Sequence, residues 1–238
     1  KMKSIWTFHN PVCIHFGRGS RQILVDELSG RRCLVVTMKR GRQQMTNDVV
    51  LEPIVKNTMT LWSDQVKSYP GIVNLQEEID RLSKEHFDAI IAFGGGSAID
   101  AGKAIAALCT NPGEPIDYLE VIGGGQPLTQ APAPFLAIPT TAGTGAEVTR
   151  NAVLASPEHR VKVSLRHPLM LPKIAIVDPE LTYELPADIT ATTGLDALTQ
   201  LIEPFTCNRA NPMTDALCRE AIPRAARSLQ HACQNPDP

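Results

Sequence analysis

The sequence lacks long apolar runs, an excess of charge of one sign and abundant aromatic residues. Its formal net charge is -2 over 238 residues, and only 5% of the residues are aromatic. A nearly neutral chain gives no sign of the basic surface that attracts nucleic acid. No apolar run approaches the ~18 residues that a membrane-spanning helix needs, and the first residues do not resemble a secretory signal. These absences predict a cytoplasmic protein that binds neither nucleic acid nor membranes.

Closely spaced metal-binding and redox motifs are absent as well. None of the six cysteines form a C-x-x-C pair, and no H-E-x-x-H occurs. The cysteines are Cys13, Cys33, Cys109, Cys207, Cys218 and Cys233. Buried thiols in a reducing compartment are therefore favoured over disulfides.

What is present, over the first two-thirds of the chain, is an alternation of short apolar runs with helix-like segments. Strands are predicted at residues 12–16, 32–37, 58–62, 89–93, 135–138 and 174–177. Helices are predicted between them, for example at residues 21–28 and 75–84, where Leu75, Ile79 and Leu82 share one face. Strands that alternate with helices indicate an α/β fold with a doubly wound, mostly parallel sheet.

The pattern changes near residue 180, after which the chain is helical in character. Helices are predicted at residues 187–203 and 212–227, beginning near Pro186 and at Asn211-Pro212. Two helices bury little core by themselves. We therefore predict a dinucleotide-binding α/β domain at residues 1–181, followed at 182–238 by the first part of an all-helical domain that is cut short.

The most informative stretch is a buried strand that runs into Gly94, Gly95, Gly96 and Ser97 and then into a helix. Such a turn places backbone N–H groups at the positive end of a helix dipole, which favours a phosphate or pyrophosphate. The pattern G-x-G-x-x-G is absent, so an ordinary tight turn is the alternative interpretation.

Two further stretches carry polar side chains in a suggestive order. Residues 137–149 follow a predicted strand and hold Thr140, Thr141 and Thr144, which could contact a nucleotide or cap a turn. On the first predicted helix of the second region, Asp196 and Gln200 are four residues apart and share a face. A carboxylate and an imidazole at that spacing would be half of a metal site, but glutamine is a weak ligand. A solvated polar helix face is the alternative.

Together these stretches, with Asp178-Pro179 between them, closely resemble the iron-containing (group III) alcohol dehydrogenase family from about Asn10 to Arg219. The resemblance implies a cofactor domain followed by a helical domain. It implies that the pyrophosphate binds at Gly94, Gly95, Gly96 and Ser97, that Asp100, Thr140, Thr141 and Thr144 line the cofactor cleft, that Lys162 lies near the cofactor, and that Asp196 is the first metal ligand.

The resemblance also implies an activity. Members of the family transfer a hydride between NAD or NADP and a small alcohol or aldehyde. Fe²⁺ or Zn²⁺ acts as a Lewis acid on the substrate oxygen. A homodimer is implied too. No catalytic residue is assigned.

Three departures from the family pattern affect these expectations. Gln200 stands where the family has a histidine ligand, and the remaining family histidines would lie beyond residue 238, so metal binding is in doubt. Met38 stands where NAD-selective relatives have an aspartate that repels a 2′-phosphate. With Lys39, Arg40 and Arg42 nearby, NADP(H) is predicted to be tolerated or preferred, unless these are only solvated loop charges.

Two alternative functions are weighed against this one. One is a lyase of the related dehydroquinate-synthase type, which also uses NAD and a metal. The other is a non-catalytic or truncated nucleotide-binding remnant, which Gln200 favours.

Overall fold

The computed structural model describes residues 5–57, 59–64, 66 and 70–235. The chain forms two compact units. The larger unit comprises residues 12–140 and 146–179, and the other contains the described residues before 12, from 141 to 145 and from 180 onward. Among the described residues, no helix is both long enough and apolar enough to cross a membrane.

The larger unit contains eight strands and six helices among its described residues. The strands are β1 (Cys13–Phe16), β2 (Arg32–Val36), β3 (Met59–Ser63), β4 (Ala89–Gly94), β5 (Phe135–Pro139), β6 (Asn151–Ser156), β7 (Val161–Arg166) and β8 (Ile174–Val177). The helices are α1 (Ile23–Leu28), α2 (Lys39–Asn47), α3 (Leu51–Asn57), α4 (Ile72–Leu82), α5 (Gly96–Leu108) and α6 (Pro115–Tyr118).

Six strands form one sheet in the order β1-β8-β5-β4-β2-β3, and every neighbouring pair in it is parallel. The predicted fold class is thus confirmed. The chain passes from β2 to β3 at one edge of the sheet and then returns to place β4 on the other side of β2. Ligands of doubly wound sheets bind at such a switch point, outside the carboxyl ends of the strands.

The core of this unit lies on helix α5, which packs against the middle of the sheet. Ten of its residues, Lys103 among them, are buried, and none of its residues is exposed. Gly102 allows the close approach, because a Cβ atom there would lie 2.8 Å from the Ala92 Cβ and 2.8 Å from the Phe135 ring. The helix that follows the glycine turn thus packs closely on β4 and β5.

Strands β6 and β7 form a separate antiparallel hairpin that we did not predict. Buried and partly buried residues alternate along β6, which is the pattern expected of a strand with one face on the core. The sequence of β6, Asn-Ala-Val-Leu-Ala-Ser, does not alternate apolar with polar residues, so it gives no period-two signal for a strand. The six strands of the large sheet were all predicted, and each begins and ends within two residues of its predicted bounds. Thr58, the first residue of one predicted strand, lies outside the described residues.

The helical unit contains α7 (Ala187–Thr206) and α8 (Pro212–Gln234). Both begin as predicted, and Asn211 caps α8 by accepting hydrogen bonds from the N–H groups of Met213 and Thr214, each at 3.1 Å. Both helices extend beyond their predicted ends at residues 203 and 227. Gly194 lies where α7 meets α8, since a Cβ atom there would come within 2.2 Å of a Leu229 methyl carbon.

Candidate functional site

The glycine turn lies at the carboxyl end of β4, next to the switch point. Gly94 has φ 148°, a conformation that residues with a side chain rarely adopt. A Cβ atom there would also lie 2.8 Å from the Ala98 Cβ. The turn from strand to helix therefore requires glycine at this position.

Helix α5 begins directly after the turn with Gly95 as its N-cap, and no side chain caps it. The N–H groups of Ala98 and Ile99 donate to the Gly95 carbonyl oxygen at 3.0 and 3.2 Å. N–H groups that precede the first carbonyl oxygens of a helix collect at its start. The start of α5 is the positive end of the dipole of a 13-residue helix, which suits a phosphate or pyrophosphate.

The neighbouring strand end contributes Thr140, whose N–H donates to the Gly94 carbonyl oxygen at 3.0 Å. The structure thus brings Thr140 to the glycine turn. Thr141 and Thr144 belong to the other unit, where the segment 141–145 packs on α7. Gly143 makes that contact, since a Cβ atom added there would lie 3.0 Å from the Thr193 Cβ. The assignment of Thr141 and Thr144 to a cofactor stays a prediction.

On the other side of β4, the end of β2 supplies Met38. Buried Thr37 donates from its hydroxyl to the Phe93 carbonyl oxygen at 2.6 Å and so joins the ends of β2 and β4. Met38 follows as the half-buried N-cap of α2. The structure therefore places Met38 and the glycine turn at adjacent strand ends.

The basic residues after Met38 are not equivalent. Lys39 and Arg40 are exposed in the first turn of α2. Arg42 donates to Asp64 at 2.9 Å, and its guanidinium carbon lies 4.8 Å from the centre of the Trp62 ring. Arg42 is thus held by an acid and an aromatic ring at the end of β3, while Lys39 and Arg40 lie closest in sequence to Met38.

Asp100 lies one turn inside α5, where its carboxylate accepts a hydrogen bond from the Val153 N–H at 3.1 Å. Burial raises the pKa of Asp100 to about 6, against the opposing effects of Lys103 and the Val153 N–H. The carboxylate is thus directed at strand β6. Its predicted place in the cofactor cleft stays a prediction.

Lys103 was not singled out from the sequence. Its side chain is fully buried, and its ammonium group donates to the Thr149 hydroxyl and the Asn151 carbonyl oxygen, both at 2.9 Å. Burial lowers the pKa of Lys103 to about 8, although Asp100 and Glu147 oppose this. Burial also raises the pKa of Glu147. The only hint in the sequence was one lysine among the alanines and isoleucines of α5.

Lys162 lies on β7 opposite Ala155 of β6 and is exposed. It follows the turn that joins the two strands, where Arg160 has φ 54°. The hairpin therefore decides where Lys162 sits relative to α5.

Asp196 and Gln200 lie one turn apart on α7, with Asp196 half-buried and Gln200 exposed. Within the described part of the chain, no group of three or more His, Cys, Asp or Glu side chains could hold a metal ion. The described residues by themselves therefore do not fit a metal. An ion at Asp196 would need further ligands.

Comparisons with known proteins find relatives of nearly the whole chain. Residues 11–179 match the family model for iron-containing alcohol dehydrogenase, and residues 190–238 match the C-terminal model of the Fe-containing alcohol dehydrogenase family. A choline dehydrogenase of Bacillus subtilis is 34% identical over 97% of this chain and 58% of its own length. A 4-hydroxybutyrate dehydrogenase of Cupriavidus necator is 37% identical over 93% of this chain and 58% of its own length.

Solved structures agree with these matches. Sulfoacetaldehyde reductase from Bifidobacterium kashiwanohense, in complex with NAD⁺, superposes with a TM-score of 0.85 at 30% identity, over 98% of this chain and 61% of that one. The chain thus spans about three-fifths of the length of these relatives. Since the first family model covers more than half of the chain, the protein belongs to the iron-containing alcohol dehydrogenase family.

Proposed function

We propose that the protein transfers a hydride between a nicotinamide cofactor and a small alcohol or aldehyde. The observation that supports this most directly is the glycine turn. It lies at the switch point of a parallel sheet and leads into a buried helix that is fixed on the central strands. A related reductase of the same fold was crystallised with NAD⁺. When bound, the nicotinamide ring accepts or donates the hydride.

In this proposal the first turn of α5 binds the cofactor pyrophosphate through Gly94, Gly95, Gly96 and Ser97. Thr140 lies at the end of the next strand and is positioned by the Gly94 carbonyl group. The family resemblance assigns Thr141, Thr144 and Lys162 to the cofactor as well. The side chains of Asp100 and Lys103 are directed at β6 and act on its position.

The cofactor is proposed to be NADP(H) in preference to NAD(H). A half-buried methionine at position 38 neither bonds the ribose hydroxyls nor repels a 2′-phosphate. An acidic side chain would do both. Exposed Lys39 and Arg40 follow it directly and add positive charge.

The substrate is proposed to be a small alcohol or aldehyde. Relatives are named for choline, 4-hydroxybutyrate, 1,3-propanediol and sulfoacetaldehyde, which are all small and polar. A homodimer is proposed on the family resemblance. A cytoplasmic location is proposed from the cysteine pattern, and a boundary near residue 181 between the cofactor domain and the helical domain is proposed from the change of sequence character there.

The family is named for iron, and Asp196 is the residue that we propose as a ligand. Such a metal supplies a Lewis acid for the substrate oxygen. Gln200, one turn further along α7, is a weak ligand. The described residues hold no complete ligand set, so the cofactor-binding half of the site carries the proposal.

A second candidate is a nucleotide-binding protein without dehydrogenase activity. Gln200 in the place of a histidine favours it. Titration with NADPH and NADH, metal analysis of the purified protein and an NADPH oxidation assay with short aldehydes separate the candidates. Binding with turnover supports the dehydrogenase, and binding without metal or turnover supports the second candidate. A protein that binds neither cofactor would refute both.

The variant Gly95→Val tests the glycine turn. Gly95 has φ -73° and ψ -176°, which a valine also adopts, so the fold is expected to tolerate it. The new side chain would lie where the phosphate approaches the first turn. We expect the Kd for NADPH to rise at least about tenfold.

The matched control is Ser29→Val. It introduces the same side chain at an exposed helix end with φ -55° and ψ 125°. Ser29 precedes β2, so it lies toward the amino ends of the strands, away from the glycine turn at their carboxyl ends. It should leave the Kd unchanged. Equal affinities of the two variants would contradict a phosphate site at Gly95.

A further inference from the structure

Strand β6 pairs with strand β7 along one edge. Along its other edge the described residues show only an isolated bridge between Ala155 and Gly71, so the backbone groups there need partners. Three of these groups are satisfied from outside the hairpin. The Asn151 carbonyl oxygen accepts from Lys103, the Val153 N–H donates to Asp100, and the Ala155 N–H donates to the Pro70 carbonyl oxygen at 3.0 Å. Two of the three partners are charged side chains of one helix.

The charges match the backbone groups that they meet. Asp100 and Lys103 are three residues apart on α5 and so lie on the same face of the helix. The carboxylate meets an N–H group, and the ammonium meets a carbonyl oxygen. Together they take the place of a neighbouring strand along the edge of β6. We call this pair the α5 clamp.

The α5 clamp holds its charges out of water. The side chains of Lys103 and Asp100 are 0% and 14% exposed, and the ammonium nitrogen lies 3.8 Å from the nearer carboxylate oxygen. In many proteins the free energy needed to remove two charges from water is at least as large as the free energy gained from their attraction. The pair is therefore better explained by the position that it imposes than by a gain in stability.

What it positions is the hairpin that carries Lys162. Lys162 lies opposite Ala155, next to the part of β6 that the α5 clamp holds. The same helix begins at the glycine turn. The distance between the proposed phosphate site and Lys162 is thus set through α5, Val153 and the hairpin. All of these belong to the larger unit.

We infer that Asp100 and Lys103 are positioning residues that fix the β6–β7 hairpin, and with it Lys162, relative to the cofactor end of α5. The role of Lys162 rests on the proposed function. The α5 clamp itself does not, because its contacts are complete within the protein.

The first test needs no cofactor. Hydrogen exchange of backbone amides is measured by NMR for the wild-type protein and for Asp100→Ala, Asp100→Asn and Lys103→Met. We expect Asp100→Ala to speed exchange at Val153 and its neighbours in β6 about tenfold or more, because the amide loses a charged acceptor. Asp100→Asn keeps an oxygen acceptor of nearly the same shape, and protection should remain within about threefold of the wild type.

Amides of the central strands β2 and β4 provide the internal reference, since the α5 clamp does not bond to them. Should Lys103→Met fail to fold, the Asp100→Ala and Asp100→Asn pair still decides the outcome. If β6 is as well protected in Asp100→Ala as in the wild type, the α5 clamp is refuted.

The second test concerns the cofactor. We expect the Kd for NADPH to rise about tenfold in Asp100→Ala and to be restored in Asp100→Asn, because only the former releases the hairpin. A loosened hairpin with unchanged affinity would refute the positioning role. A wild-type protein that binds no nicotinamide cofactor would refute the proposed function and the role of Lys162. The α5 clamp would still be tested by the hydrogen-exchange rates, which do not depend on the cofactor.

Discussion

The hydroxyl group of Thr37 donates a 2.6 Å hydrogen bond to the backbone carbonyl oxygen of Phe93. Both residues are fully buried. The bond joins β2 to β4 at the switch point, where successive strands of the chain begin to be added on the other side of β2. A side chain thus continues the ladder of the two strands beyond their last backbone pair, Val36 and Ala92. The two turns that follow these strands, which we propose bind the cofactor, begin directly beyond this junction.

The variant Thr37→Val tests it. Valine keeps the shape but leaves the buried Phe93 carbonyl group without this donor, which should lower the free energy of unfolding by roughly 1–3 kcal/mol. Urea denaturation measures the change. Thr46→Val is the control, because the exposed Thr46 hydroxyl bonds only the Gln43 carbonyl oxygen within α2. An equal fall in the free energy of unfolding in both variants would show that the hydrogen bond between Thr37 and Phe93 contributes no more than an exposed one.

The second prediction compares two glycines at close contacts. In Gly102→Ala the new methyl group meets the Ala92 Cβ and the Phe135 ring at 2.8 Å, and neither can move without shifting a strand or a buried ring. We expect the free energy of unfolding to fall by about 1–3 kcal/mol. Thermal and urea unfolding give the measurement.

Gly194→Ala is the matched variant of this comparison. The atom in its way is the flexible end of Leu229, although it lies closer, at 2.2 Å. A rotation of Leu229 relieves the contact, and alanine gains helix propensity of up to about 1 kcal/mol. We therefore expect a smaller loss than for Gly102→Ala. The reverse order would mean that α7 and α8 are packed more tightly than the central sheet.

The position of the glycine turn was predictable because its determinants are local. A buried apolar strand, three glycines and a helix follow one another within 20 residues, so no tertiary information is needed to place Gly94 at a strand end. The same holds for the starts of α7 and α8, where Pro186 and Asn211-Pro212 mark the helix entries. The resemblance to the family was recognised from the order of the glycine turn, the threonine-containing segment and the Asp196 segment along the chain.

The α5 clamp was not predictable, since its contacts join residues about 50 positions apart. In sequence, Lys103 looks like an ordinary exposed helix lysine, and only the fold shows that its side chain is buried. The assignment of segment 141–145 to the helical unit is also a matter of tertiary packing. Periodicity carries no information about either.

The third prediction concerns pH. The folded protein holds a proton on Asp100 up to about pH 6, whereas the ordinary pKa is 3.8. Between these values the folded state binds more protons than the unfolded state, so the contribution of Asp100 to the free energy of unfolding falls as pH rises from about 4 to 6. For Lys103, with its pKa lowered from 10.5 to about 8, the contribution falls as pH drops through that range.

Asp100→Asn removes the first of these effects. Compared with the wild type, the variant should become progressively more stable between pH 4 and 6, and the difference should level off above pH 6. Urea denaturation of both proteins at half-unit steps measures it. Glu147 also faces Lys103 and titrates in a raised range, but it is present in both proteins and cancels in the difference. Parallel stability curves would mean that Asp100 titrates as it does in the unfolded chain.

The last prediction concerns cofactor choice. In Met38→Asp, a carboxylate at the end of β2 can accept hydrogen bonds from ribose hydroxyls and repels a 2′-phosphate. We expect the Kd for NADPH to rise at least about tenfold and the Kd for NADH to fall, so that the preference reverses. Met38→Asn has nearly the same shape without the charge and should reverse it much less. Cofactor fluorescence titrations of the three proteins give the six constants. If Met38→Asp weakens both cofactors equally, residue 38 does not face the adenine ribose, and the exposed charges of Lys39 and Arg40 serve only as solvated surface.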